Sequence, residues 1–156
     1  MPVSAELRTD RLLLSHLTEA DIPRIIQLAN NPKISEVTLN IPHPYSEDSA
    51  RFWLQMGVDG RKEGNRELFA IRNQEGLFLG GVGLDYDRRH RKGTLGYWIG
   101  EPYWGQGFMT EAVKAIIAFG FEELGLCRIE ATHILSNPAS GRVMAKAGMA
   151  YEVLRR

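Results

Sequence analysis

The sequence predicts an α/β domain built on a mixed, mostly antiparallel sheet, and three observations carry that expectation. Residues 94–100 alternate as a strand, pass through a glycine turn and enter an amphipathic helix that runs to residue 124. A second strand, residues 127–133, follows at once, and a strand, a helix of about four turns and another strand make a right-handed crossover between parallel neighbours. Upstream, residues 67–72 and 78–86 read as strands joined by a turn at Asn73 to Gly76, the signature of an antiparallel hairpin.

Composition bounds the rest. The chain has 156 residues and is 44% hydrophobic, enough for one domain, residues 1–156, that needs neither metal nor disulfide to hold a core. Its single cysteine, Cys127, forbids an intrachain bridge and fits a reducing, cytoplasmic compartment. No Cys/His pair has metal-ligand spacing, so no metal is expected, and Cys127 reads as a small buried hydrophobe. Nineteen basic residues balance nineteen acidic ones, which argues against a nucleic-acid partner. The first fourteen residues carry charges within and beyond a short apolar run, unlike a signal peptide or a membrane anchor.

In chain order, residues 11–17 form the first expected strand. Thr18, with Asp21 three residues on, caps a helix whose apolar stripe is Ile22, Ile25, Ile26 and Ala29; Asn30, Asn31 and Pro32 stop it. Ser46 caps a second helix with Glu47 and Asp48 in its first turn and Phe52, Trp53 and Met56 directed inward. Residues 60–65 are expected to be a polar break. The basic run at residues 87–92 reads as a solvated hairpin tip. Gly125 is placed to close the central helix in the left-handed conformation. Asn137 and Pro138 open a last helix, giving about four helices in all, and residues 151–154 are a candidate short strand.

The turn Trp104, Gly105, Gln106, Gly107 is where chemistry is expected. Its glycines permit positive φ angles, and the helix behind it presents unpaired N–H groups at the positive end of its dipole, a suitable seat for a pyrophosphate. The turn lacks the Gly-Lys-Ser/Thr ending of a nucleotide P-loop and the third glycine of a dinucleotide fingerprint. On local evidence a plain structural connection stays open beside the anion-binding reading.

Gly105-x-Gly107 entering a helix at Thr110-Glu111-Ala112, after Gly96-Tyr97-Trp98-Ile99 and before Asn137-x-x-Ser140 and Lys146-x-Gly148, resembles the GNAT family of acetyl-CoA-dependent N-acetyltransferases. Within it, Leu7-x-Thr9-x-Arg11-Leu12, Pro44-Tyr45-Ser46 and Arg128-Ile129-Glu130-Ala131 resemble the RimJ/RimL-like branch that acetylates ribosomal-protein N-termini. The resemblance implies a sheet in which the two parallel strands splay apart. It implies that acetyl-CoA, as acyl donor, lays its pyrophosphate on Trp104, Gly105, Gln106, Gly107, Phe108, Met109 and Thr110. The pantetheine arm would pair with Trp98, Ile99 and Gly100, and Asn137 would bond it from the other side. Trp104 stands where the family usually has Gln or Arg, and Met109 where it has Gly or Ala. The sequence stops short of the family's final strand, which leaves open a truncated chain or a sheet completed by another copy; a monomer or a homodimer is expected.

Four groups are candidates for the chemistry. Ser140 is the candidate proton donor to the leaving thiolate, and Ile99 N–H the oxyanion donor. Glu130 and Glu101 are candidate bases, with a cross-strand ion pair and a plain surface role as their alternatives. Tyr45, Phe52 and Trp53 are candidates to line the acceptor groove. The acceptor is a protein N-terminus or a small amine such as a polyamine or aminoglycoside; a non-catalytic acyl-CoA-binding module is the other class left open.

Overall fold

The computed structural model describes residues 6–33 and 44–131. Six strands lie side by side in chain order: β1 (Glu6–Arg8), β2 (Leu12–Ser15), β3 (Arg66–Asn73), β4 (Phe78–Asp87), β5 (Lys92–Ile99) and β6 (Arg128–Ala131). Neighbours are antiparallel up to β5, and β5 and β6 are parallel, joined through a helix. Among the described residues the sheet is mixed, with one parallel pair, as expected. The described helices are α1 (Ile22–Ala29), α2 (Glu47–Glu63) and α3 (Phe108–Glu122). The expected last helix, the residue 151–154 strand, and Asn137 and Ser140 lie outside the described residues.

The sheet is covered on both faces. Met109, Ala112, Val113, Ile116 and Phe119 of α3 pack on one core with Leu12, Leu14, Phe69, Ile71, Leu84 and Leu95. On the other face Ile22, Ile25 and Leu28 of α1 and Ala50 of α2 meet Ala70, Phe78 and Trp98. Burying one such aliphatic side chain contributes roughly 1.5–3 kcal/mol, so each layer holds its helices by area rather than by polar contacts.

Local signals place most boundaries. Asp21 reaches back to accept from the Thr18 backbone N–H at 2.8 Å, and Ser46 Oγ accepts from Ser49 N–H at 3.1 Å. Asn73 closes the β3–β4 hairpin, accepting through its side chain from Glu75 and Leu77 N–H. Gly125 closes α3 at φ +68.

Four expectations are corrected. A strand at Glu6–Arg8 precedes the first one predicted; it is three residues long and mostly exposed, so it carries no apolar pattern to read. The expected break at residue 60 is helical, because α2 runs to Glu63 and ends at Gly64 with φ +72. Gly60 is there for space: a Cβ would collide with the side chain of Arg66 on β3. Phe52 points outward and is 64% exposed, since α2 turns Trp53 and Ala50 toward the sheet instead. Cys127 is exposed; the buried position at the approach to β6 is taken by Leu126.

Candidate active site

Strand β5 aims the site. Gly100 N–H bonds to Leu79 O on β4 at 2.8 Å, and in an antiparallel ladder these groups alternate sides. The N–H and C=O of Ile99 therefore point to the opposite edge, where β6 pairs with β5 from Lys92 to Leu95. Beyond Ala131 the parallel partner lies outside the described residues, and with it the expected splay.

A helical turn, Glu101–Tyr103, leads from β5 into the glycine turn. Gly105 and Gly107 have φ +76 and +81, the left-handed values that favour glycine. Trp104, Gly105, Gln106 and Gly107 are all exposed. The first main-chain bond of α3 runs from Glu111 N–H to Gly107 O at 3.1 Å, so the N–H groups ahead of Glu111 lie before the start of its ladder. Among the described residues the N–H groups of Gly105, Gln106 and Gly107 have no hydrogen-bond partner. An uncovered row of donors at the positive end of a 15-residue helix fits a pyrophosphate.

Behind the turn sits a network that the sequence did not disclose. Glu111 accepts from Thr9 Oγ1, from Arg11 N–H at 2.9 Å and from Arg11 Nε at 2.7 Å, while Arg11 Nη1 donates to Gln106 O at 2.9 Å. The Arg11 guanidinium also lies over the Phe108 ring, 4.5 Å from its centre. Burial alone would raise the Glu111 carboxyl; the donors from Thr9 and Arg11 outweigh it and hold the group below its ordinary range. The Thr9-x-Arg11 pattern was the available signal, though it pointed to family and not to this role.

The two candidate bases are both engaged. Lys33 Nζ and Asn31 Nδ2 each donate to Glu101 at 2.8 Å, and the Lys33 bond, then the Asn31 bond, lowers the Glu101 pKa. A carboxylate held low is a poor base at neutral pH, and the bonds of Glu101 tie the end of α1 to the approach to the glycine turn. Glu130 pairs with Arg128 at 2.8 Å. It also lines a cleft of about 680 Å³ at the far end of β5, with Asp59, Glu63, Asp85 and Asp87 outnumbering Arg66 and Lys92. Of the aromatic groove candidates, Tyr45 is buried between α1 and α2, and burial pushes its pKa up to about 12, which keeps the phenol neutral. Trp53 packs near Trp98, ring centres 5.9 Å apart.

Comparison with known proteins agrees with this architecture. Residues 11–150 match the acetyltransferase (GNAT) domain. The N-acetyltransferase YoaA of Bacillus subtilis is 30% identical over 154 residues, covering 96% of this chain and 86% of YoaA. The solved structure of RimL, a ribosomal L7/L12 α-N-protein acetyltransferase in complex with coenzyme A, superposes with a TM-score of 0.84 at 19% identity, covering 95% of this chain and 85% of that one. Spermidine N-acetyltransferase from Vibrio cholerae, in complex with CoA and spermine, superposes at 0.78 and 21% identity over 93% and 84% of the two chains. With the family match spanning most of the sequence and the sheet, crossover helix and glycine turn in place, the chain belongs to the GNAT family of acetyl-CoA-dependent N-acetyltransferases.

Proposed function

We propose that the enzyme acetylates a protein N-terminal α-amine by direct attack within a ternary complex. Trp104 to Thr110 would seat the CoA pyrophosphate on main-chain N–H groups, and Trp98, Ile99 and Gly100 would present the β5 edge to the pantetheine arm. The observation that supports the CoA seat is the exposed turn with Gly105 and Gly107 at positive φ, opening α3 at the carboxyl end of β5; the α-amine acceptor is supported by the likeness to RimL. The thioester supplies an acyl carbon already activated toward amines.

The chain's own work is then to orient and to stabilise. Ile99 N–H, on the edge facing away from β4, is the donor assigned to the carbonyl oxygen as it gains charge. The amine nitrogen bonds to the thioester carbon as the C–S bond breaks; Ser140 is assigned the proton delivered to the leaving thiolate, its hydroxyl regaining through water the proton that the amine loses, and Asn137 a bond to the arm. An α-amine, with a pKa of about 8, is partly neutral at physiological pH, so it asks little of Glu101 or Glu130. A lysine amine near 10.4 would ask more.

A second reading is a small cationic amine as acceptor, as for the Vibrio cholerae spermidine N-acetyltransferase that shares the fold; the carboxylate-rich cleft beside Glu130 suits such a cation by charge but lies at the Lys92 end of β5, remote from Ile99. A thiol-release assay with acetyl-CoA separates the two. Release with peptides bearing an open N-terminal amine, and none with their N-acetylated forms, is expected. Release confined to polyamines or aminoglycosides would replace the first reading with the second.

A further inference from the structure

Helix α3 poses an electrostatic difficulty for the site it opens. Glu111 places a carboxylate in the first turn of the helix that is to receive a polyanion, and that charge repels pyrophosphate. The structure turns it away: Glu111 accepts three bonds from the β1–β2 connection, two from Arg11 and one from Thr9. Thr9 is itself held, since its N–H donates to Leu12 O at 3.0 Å and its hydroxyl accepts from Leu12 N–H at 3.0 Å.

The other end of the Arg11 guanidinium is bonded to Gln106 O. In a trans peptide the carbonyl of one residue and the N–H of the next point in opposite directions. Fixing the Gln106 carbonyl on Arg11 therefore turns the Gly107 N–H outward, away from the guanidinium. Gly107 leaves room for this, because a Cβ there would come within 3.2 Å of Arg11 Nη2. One planar side chain thus neutralises the misplaced carboxylate and aims an anion-binding amide, a two-site span that suits the guanidinium fork and that a lysine point charge cannot reproduce.

We propose that Arg11 is a positioning residue for the CoA pyrophosphate, acting through Gln106, Gly107 and Glu111. This rests on the reading that the 104–110 turn holds the pyrophosphate. The test measures CoA and pantetheine binding by calorimetry on wild type, Arg11→Ala and Arg11→Lys, with pantetheine as the ligand that lacks the pyrophosphate. Wild type is expected to prefer CoA strongly. Arg11→Ala is expected to weaken CoA about tenfold or more, the scale of a lost charge-assisted bond, with pantetheine affinity unmoved and Arg11→Lys intermediate.

The outcomes are distinct. Wild type binding CoA and pantetheine equally would remove the pyrophosphate reading of the turn. Wild type preferring CoA, with both variants keeping that preference in full, would remove the role of Arg11 alone. Variants that lose both ligands in parallel would make Arg11 a general structural strut and overturn the proposal as well.

Discussion

The indole N–H of Trp104 donates to the carbonyl oxygen of Ile99 at 2.8 Å, so a side chain of the glycine turn occupies an acceptor on the edge of β5 that faces away from β4. That acceptor is one the proposed pantetheine arm would take. Binding of CoA is therefore expected to release the half-exposed Trp104 ring and change tryptophan emission. Trp104→Phe should abolish the change and cost the fold about 1 kcal/mol for the lost bond. An emission change of full size in that variant would assign the signal to Trp53 or Trp98 and end the idea.

Glu101 is expected to be dispensable as a base. Loss of a general base costs about 10²–10⁴-fold in rate. With Lys33 and Asn31 holding its pKa low, Glu101→Gln should lose less than about tenfold and leave the pH dependence of kcat/KM in place. Disappearance of the acidic-side limb of that profile would restore Glu101 as the base.

Ser140→Ala, by contrast, should lower kcat by about 10²-fold with little change in KM for acetyl-CoA, because a proton donor to the leaving thiolate acts in the transition state and not in binding. Steady-state kinetics with the best acceptor of the panel decides it; an unchanged kcat rules the serine out.

Acid stability should depend on Asp21. Arg72 holds this buried carboxylate in two bonds, Nη1 to Oδ1 at 2.6 Å and Nη2 to Oδ2 at 2.8 Å. Burial would raise its pKa, but Arg72 and the Thr18 N–H outweigh that and bring it below the ordinary 3.8. A lowered folded-state pKa contributes stability that is present above pH 3.8 and lost as the pH falls below it, through the folded value. Asp21→Ala, which leaves the Arg72 guanidinium bonded to Ser15 Oγ and His16 O but without its countercharge, should cost about 3–5 kcal/mol at neutral pH. Urea melts across the acid range should show a shallower pH slope in the variant than in wild type.

At Gly80 on β4 the main chain of β5 leaves no room for a side chain. A Cβ there would strike Trp98 O and lie 2.7 Å from Ile99 Cα, both main chain. Overpacking costs about 1–3 kcal/mol, and backbone obstacles yield least, so Gly80→Ala should sit at the upper end and weaken CoA binding by displacing Ile99. Gly81→Ala meets the Trp53 ring, which can rotate, and should cost less. Urea midpoints of the two variants test the order.

What could be read along the chain was whatever a few adjacent residues can specify. The caps at Thr18 and Ser46, the Asn73 turn, the left-handed Gly125 and the strand, glycine turn and helix after Thr94 are short-range matters of sterics and unpaired backbone groups, and each was legible. The order of those features also disclosed the family and the turn. Packing settled the remainder. Arg11 and Glu111 are a hundred positions apart, and Lys33 and Glu101 sixty-eight; only the sheet register and the docking of α1 bring them together. Exposure of Phe52 and Cys127, and a helical Gly60, likewise depend on what lies opposite: Trp53 against the sheet, Leu126 in the core, and Arg66 across a gap too narrow for a methyl group. Local chemistry decides the backbone's path, whereas the partner of a side chain is set by the elements that pack against it.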